Sequence, residues 1–516
     1  MAQYNYDRLS AQDNSFLLAE TAKAHMHVSS TLIYEAGPLR NEDGGIDFER
    51  IKRATEGYLH LIPRYRQKLH FIPLENHAVW VDDKHFSLDY HVRHTALPMP
   101  GSDEQLKQLS ARIMAQPLDR ARPLWETWIV EGLEGDRFAV ITKIHHCMID
   151  GSSGVDVAQI MMSTTPDRNI PDPPNYIPRP APTRSDLLRD ELWRRAMMPF
   201  RIIRGARTFA RETEDLFSEV SARAKILWDM AGMGLGTSET PLNGPLTHHR
   251  KFDWHVMALD DVKAVRRGLD CSVNDVVLTV VTSAVREFLL LRGADPSNLE
   301  FKIAAPVSIR REAEKGQLGN RVSSWVISLP IGEADPGEQL RIINANTQEL
   351  KDSNQALAIE MIMKVAEFTP SSLLSLGAQA VSGPINSIVT NVPGPQFPLY
   401  MQGAKLEGIF PQVPLMEGIG LGIALMSYDG KICWGFNANP DVLPDLDRFV
   451  GLIVRSFERV ATAAGVTLSD ARQPTAPDAN SPTETDAAES PNEDDAASMN
   501  YLPVDDSTGP RTPQAS

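Results

Sequence analysis

The sequence has few cysteines, no long apolar run and no visible export signal. Its three cysteines, Cys147, Cys271 and Cys433, stand far apart without CxxC spacing, so they indicate neither a disulfide framework nor a zinc knuckle. The first residues (MAQYNYDRLS) lack a basic segment followed by an apolar one. No apolar stretch approaches the roughly 20 residues of a membrane-spanning helix. We therefore expect a cytoplasmic protein that neither carries an export signal nor spans the membrane.

Basic residues are also in the minority, and the chain of 516 residues has a formal net charge of -16. Half of that excess lies in residues 473–516, which hold nine carboxylates and one arginine. The rest is only mildly acidic, and its charge gives no argument for nucleic-acid binding. Because large apolar residues almost disappear after Gly465, we predict a disordered acidic tail over residues 468–516.

A pair of histidines is the most informative feature that is present. His145 and His146 follow an apolar segment, FAVITKI, with the length and β-branched content of a buried strand. Consecutive strand side chains point to opposite faces, so we expect one imidazole to take part in the reaction and the other to support the structure. A histidine at a strand end suits a general base, because its unperturbed pKa of about 6.5 leaves it largely neutral.

The same stretch continues to Asp150 and Gly151, which gives the pattern HHxxxDG. Asp150 has two possible roles: it bonds an imidazole nitrogen, or it anchors the loop through a cation elsewhere. Gly151 removes a side chain where a second substrate would approach.

This pattern resembles the acyltransferases built on the chloramphenicol acetyltransferase fold, a group that includes peptide-synthetase condensation domains. Within the group, the chain is identified as a member of the bacterial wax ester synthase/acyl-CoA:diacylglycerol acyltransferase family. The resemblance covers roughly residues 5–465, although Ala11 and Gln12 stand where the family more often has Pro-Leu or Pro-Thr. The further matching motifs are Leu9 to Asp13, Met26 to Val28, Pro123-Leu124-Trp125, Val273 to Leu278, Pro306 to Ser308, Gly319-Asn320 and Asn391 to Pro395.

The resemblance implies an α/β (α+β) fold of two lobes with mixed sheets, with the active site at the lobe interface. It implies transfer of a long-chain acyl group from acyl-CoA to a fatty alcohol or diacylglycerol in a ternary complex. His146 would be the general base and His145 a supporting residue. Acyl-CoA would be a co-substrate, and we expect no metal and no cofactor.

Other residues are candidates for supporting roles. Asn274 and Asp275 would open a helix after Ser272, where backbone NH groups favour an anion, so we predict that they shape the site or stabilise the oxyanion. Pro123, Leu124 and Trp125 are predicted to bind substrate. Arg66, in a stretch that matches the arginine-bearing segment of condensation domains, is the candidate partner of Asp150.

The resemblance and the composition together predict four segments: an N-terminal lobe (1–170), a linker (171–248), a C-terminal lobe (249–467) and the tail. The linker is first rich in proline and then basic, with eight arginines against three acids over residues 184–211. Such an amphipathic segment either lies on an anionic membrane or lipid droplet, or packs on the body as a crossover.

Other kinds of site fit this pattern less well. A metal site from His145, His146 and Asp150 is disfavoured because adjacent strand histidines diverge. A Cys147 nucleophile beside His146 is disfavoured for the same reason, and we expect Cys147 to be a small buried residue. A condensation-type or short-chain alcohol acyltransferase remains an alternative, as does a non-catalytic lipid-coat protein.

Overall fold

The structure is a computed structural model. It describes residues 6–148, 157, 159–197, 237–308, 322–352 and 385–469. They belong to one compact unit that ends at Ser469. None of the helices in these ranges has the length and apolar character that crossing a bilayer requires.

Strands occur in both halves of the described chain. They are β1 (Asp7–Arg8), β2 (His27–Glu35), β3 (Gln67–Phe71), β4 (Ala78–Asp82), β5 (Val92–Ala96), β6 (Trp125–Leu133), β7 (Arg137–His145), β8 (Asn243–Gly244), β9 (Lys251–Ala258), β10 (Phe301–Ser308), β11 (Val322–Leu329), β12 (Ser387–Val392), β13 (Tyr400–Met401), β14 (Ala404–Gln412), β15 (Gly418–Ile419), β16 (Leu421–Tyr428) and β17 (Lys431–Ala438).

Helices connect and cover these strands. They are α1 (Ala11–Ala19), α2 (Phe48–Tyr58), α3 (Leu88–His91), α4 (Asp103–Ala115), α5 (184–197), α6 (Leu259–Gly268), α7 (Val273–Leu291), α8 (Pro336–Asp352) and α9 (Leu446–Ala463).

Local sequence signals explain several of these elements. Helix α4 begins with a capping box in which Ser102 and Gln105 bond each other's backbone NH groups. Ser272 and Asp275 form the same arrangement at the start of α7. Asp429 and Gly430, both with positive φ, make the turn between β16 and β17. The helix predicted to begin after Ser272 is confirmed.

Two six-stranded sheets define the lobes. The first has the order β13-β14-β2-β7-β6-β5 and the second the order β11-β10-β12-β16-β17-β9. Both sheets are mixed, because β5 pairs parallel with β6, and β12 pairs parallel with β10 and β16. The predicted α/β fold with two lobes and mixed sheets is confirmed.

The second half of the chain contributes strands to the first sheet. Strand β14 pairs antiparallel with β2 and also packs against β16 and β17 of the second sheet. At that crossing a Cβ on Gly435 would lie 1.8 Å from the Pro411 carbonyl oxygen, so the backbones approach too closely for any side chain. Strand β14 therefore joins the two lobes through their sheets. The predicted segments did not include this connection.

Candidate active site

The two histidines lie where β7 stops. Strand pairing ends at His145, and a 3-10 turn begins at His146 and runs to Met148. The His145 backbone NH donates to the Leu124 carbonyl at 2.9 Å, and that of His146 donates to the Met26 carbonyl at 2.8 Å. Because the strand breaks between them, the two imidazoles are held in different surroundings.

His145 is the internal member of the pair. Its side chain is 1% exposed, and its Nε2 lies 3.3 Å from the Glu20 carboxylate. Its Nδ1 accepts the backbone NH of Cys147 at 3.1 Å. Both ring nitrogens therefore have partners inside the core, and the supporting role of His145 stays a prediction.

His146 is half-buried and stacks on Phe16, with ring centroids 4.0 Å apart and an interplanar angle of 19°. Phe16 comes from α1, which packs on the turn. This helix was not predicted, although its signal is present: the Ser10 side chain caps it by accepting the Asp13 backbone NH. The aromatic contact holds the plane of the imidazole close to parallel with the Phe16 ring.

Cys147 is 3% exposed, and burial raises the pKa of its thiol well above the usual value. The expectation that it is a small buried residue is confirmed, and a raised pKa disfavours the thiolate that a nucleophile requires. In the part of the chain that the structure describes, no three His, Cys, Asp or Glu side chains are grouped so that they would hold a metal ion.

Asp150 and Gly151 lie outside the described residues. The guanidinium of Arg66 lies over the ring of Tyr176, 4.3 Å from its centroid. Its Nε is buried, without a hydrogen-bond partner among the residues described. The pairing of Arg66 with Asp150 stays a prediction.

The proline-leucine-tryptophan motif lies in the core instead of lining an open site. Leu124 and Trp125 are almost completely buried. Trp125 stacks between Tyr65 and His91, with centroids 4.6 and 4.5 Å away. These contacts, together with the hydrogen bond that the Leu124 carbonyl accepts from the His145 NH, give no support to the predicted substrate binding by Leu124 and Trp125. Pro123, also buried, precedes them.

Asp275 has a structural set of contacts. Its carboxylate accepts the Ser272 backbone NH, the Asn344 amide and the Thr347 hydroxyl, each at 3.0 Å. Asp275 therefore ties the start of α7 to α8, and its predicted role in the reaction gains no support. Asn274 is partly exposed at the same helix start and stays a candidate for shaping the site.

Solved structures with the same architecture define the class of protein. The first condensation domain of the calcium-dependent antibiotic synthetase superposes with a TM-score of 0.58 at 15% identity, covering 89% of this chain and 96% of that one. At this identity the likeness concerns the fold, which is the two-lobed architecture of chloramphenicol acetyltransferase and its relatives. A wax ester synthase/diacylglycerol acyltransferase from Marinobacter aquaeolei VT8 superposes with a TM-score of 0.62 at 25% identity, covering 89% of this chain and all of that one.

Sequence comparison gives the family. Residues 9–277 match the wax ester synthase/diacylglycerol acyltransferase catalytic domain, and residues 318–461 match the C-terminal domain of the same family. A putative diacylglycerol O-acyltransferase of Mycobacterium tuberculosis is 30% identical over 85% of this chain and 87% of its own length. A probable diacylglycerol O-acyltransferase of the same organism is 29% identical over 91% and 98%. The chain belongs to the wax ester synthase/diacylglycerol acyltransferase family and is an acyltransferase.

Proposed function

We propose that this acyltransferase moves a long-chain fatty acyl group from acyl-CoA to the hydroxyl of a fatty alcohol or a diacylglycerol. The names of the similar proteins support both acceptors, since they include a wax ester synthase and diacylglycerol O-acyltransferases. The observation that carries the proposal is the difference between the two histidines. His145 has both ring nitrogens occupied within the core, whereas His146 is half-buried on the turn.

The reaction needs one proton shuttle. His146 takes the proton from the acceptor hydroxyl as its oxygen attacks the thioester carbonyl, which gives a tetrahedral oxyanion. Collapse of the oxyanion breaks the carbon–sulfur bond, and the departing CoA thiolate regains the proton from His146. A thioester is already activated, so positioning and one base account for the chemistry without a covalent enzyme intermediate. The buried Cys147 fits a mechanism without a protein nucleophile.

A purified-protein assay tests this proposal. We expect palmitoyl-CoA to release free CoA when hexadecanol or dipalmitoylglycerol is added, with the matching wax ester or triacylglycerol as product. Reactions with each acceptor alone, and with palmitoyl-CoA alone, control for hydrolysis. CoA release that does not depend on an acceptor would mean a thioesterase, and absence of a lipid product with both acceptors would refute the proposed substrates.

Helix α5 supports a second proposal, which concerns where the enzyme meets its lipid substrates. One face of the helix is fixed to the N-terminal lobe by Leu187, which packs on Ile72, Val79 and Val81. The opposite face is apolar and open, and its Leu192 and Trp193 are 60% and 65% exposed.

The arginines of this helix are divided between the two faces. Arg194 and Arg195 bind the Glu191 carboxylate at 2.7 and 2.9 Å, and Arg195 also contacts Glu75 at 3.2 Å. The pairs with Glu191 lie within the helix, and the contacts of Arg194 and Arg195 with Glu75 hold the helix to the lobe. Arg189, in contrast, is 67% exposed beside the apolar face. Of the arginines in the predicted membrane-binding segment, those from position 201 on lie outside the described residues.

We propose that the exposed face of α5 rests on an anionic lipid surface, as a peripheral contact of a cytoplasmic enzyme. An exposed tryptophan and leucine next to arginine suit the boundary between headgroups and acyl chains. The excess of arginine over acids in residues 184–211 adds attraction to anionic lipid.

Replacing Leu192 and Trp193 together by glutamine is expected to weaken binding to phosphatidylcholine/phosphatidylglycerol vesicles about 30-fold. That figure corresponds to about 2 kcal/mol for two side chains that are already partly buried. Vesicle co-sedimentation measures it. The matched control replaces Leu290 and Leu291 on α7, which are 50% and 47% exposed, and should bind as wild type does. If the α5 variant binds equally well, protein and not lipid covers this face.

A further inference from the structure

Glu20, the residue that follows α1, lies among several basic side chains behind the reactive turn. Its Oε2 is 3.3 Å from His145 Nε2 and also accepts a hydrogen bond from Arg120. Its Oε1 lies 3.4 Å from His25 Nδ1 and 3.7 Å from His27 Nε2. The Glu20 side chain is only 10% exposed, so these neighbours and not solvent determine its state.

The Glu20 carboxylate is charged. Burial by itself would raise its pKa, but hydrogen bonds from His145, His25 and Arg120 outweigh burial and hold the pKa well below its usual value. His27 differs, because burial, followed by the nearby Lys143, keeps its pKa well below the usual value. His27 is therefore neutral. The negative charge of Glu20 interacts instead with its hydrogen-bonded partners, which are His145, His25 and Arg120.

The contacts of His145 determine which of its nitrogens carries the proton. The Cys147 backbone NH donates to Nδ1, so Nδ1 must be an unprotonated acceptor. The proton of the neutral ring is then on Nε2, where it is donated to Glu20. Loss of the Glu20 carboxylate would leave Nε2 without its acceptor and allow the opposite tautomer. In that tautomer Nδ1 carries the proton, so it cannot accept the Cys147 NH and this hydrogen bond is lost.

That bond belongs to the turn that carries His146, since Cys147 is its next residue. Helix α1 supports the turn a second time through Phe16, which stacks on the His146 ring. Helix α1 and the residue that ends it, Glu20, therefore support both imidazoles.

We propose that Glu20 is a positioning residue for acyl transfer, which fixes His145 as the Nε2–H tautomer and thereby holds the turn that orients His146. The inference rests on the proposed role of His146 as the base. Misplacement of a reacting group by about 1 Å costs about 100-fold in rate. We therefore expect Glu20→Leu to lower kcat about 10- to 100-fold with unchanged KM for both substrates.

The kinetic test compares Glu20→Leu with Glu20→Gln, whose amide oxygen still accepts from Nε2. We expect Gln to recover most of the lost kcat. Asp253→Asn is the matched control, because Asp253 is a carboxylate of similar burial that is paired with Lys107 and belongs to β9 of the other sheet, and its kcat should be that of wild type. A folded Glu20→Leu variant with kcat within twofold of wild type would overturn the proposal.

A spectroscopic test does not depend on activity or on the folding of the leucine variant. The ¹⁵N shifts of labelled histidine, with His145 assigned from its absence in His145→Gln, should show a protonated Nε2 and an unprotonated Nδ1 in wild type. The Nδ1–H tautomer in wild type would overturn the proposal. Failure of the proposed function has a different signature, which is a wild-type protein that transfers no acyl group while its His145 tautomer is as described.

Discussion

The His146→Ala variant is expected to lose about 100- to 10,000-fold in kcat, the usual contribution of a general base. No other described group on the turn is placed to take the proton, since His145 is committed to Glu20 and to the Cys147 amide and the Cys147 thiol is buried. The measurement is CoA release at saturating palmitoyl-CoA and acceptor.

The variant should remain folded. His146 is half-buried, and loss of its stacking on Phe16 removes about 0.5 to 1.5 kcal/mol, a small part of the stability of a domain of this size. The exposed His249, which follows His248 outside any helix or strand, provides the control, because His249→Ala should keep wild-type kcat. More than a tenth of wild-type kcat in His146→Ala would mean that another group is the base.

Elements with complete local signals were predictable from the sequence. Helix α7 begins after Ser272 and ends at Leu291 as its cap and apolar pattern indicate, and β7 covers the apolar segment that was expected to be a strand before the histidines. The partners of those imidazoles were not predictable in the same way, because contacts between distant segments leave no local pattern. Glu20 had only an indirect signal, an acid shortly before His25 and His27.

Two further features could not be predicted for the same physical reason. Strand β14 joins the sheet of the other lobe, and its own residues do not indicate which sheet edge it will extend. A motif match likewise indicates that a residue matters without showing which way its side chain points. Trp125 is an example: its motif suggested contact with the substrate, but its side chain is packed in the core.

The Trp125→Ala variant is expected to lose about 3 to 5 kcal/mol of unfolding free energy, the range for truncating a large buried aromatic side chain. The Trp125 ring is 1% exposed and stacks on both Tyr65 and His91. Its Nε1–H also donates to the Tyr65 carbonyl at 2.8 Å. Truncation leaves a cavity and also removes the donor from a buried acceptor, so both effects act in the same direction.

Three variants separate packing from substrate binding. Trp125→Phe keeps an aromatic ring but lacks the Nε1–H donor, so it should lose less stability than the alanine variant. Trp193→Ala removes the same side chain from an exposed position on α5 and should change stability by less than about 0.5 kcal/mol. The denaturant midpoint measures all three. Because the Trp125 side chain is packed in the core, folded Trp125→Phe should keep the wild-type KM for palmitoyl-CoA. If Trp125→Phe instead had a raised KM and unchanged stability, Trp125 would contact the substrate.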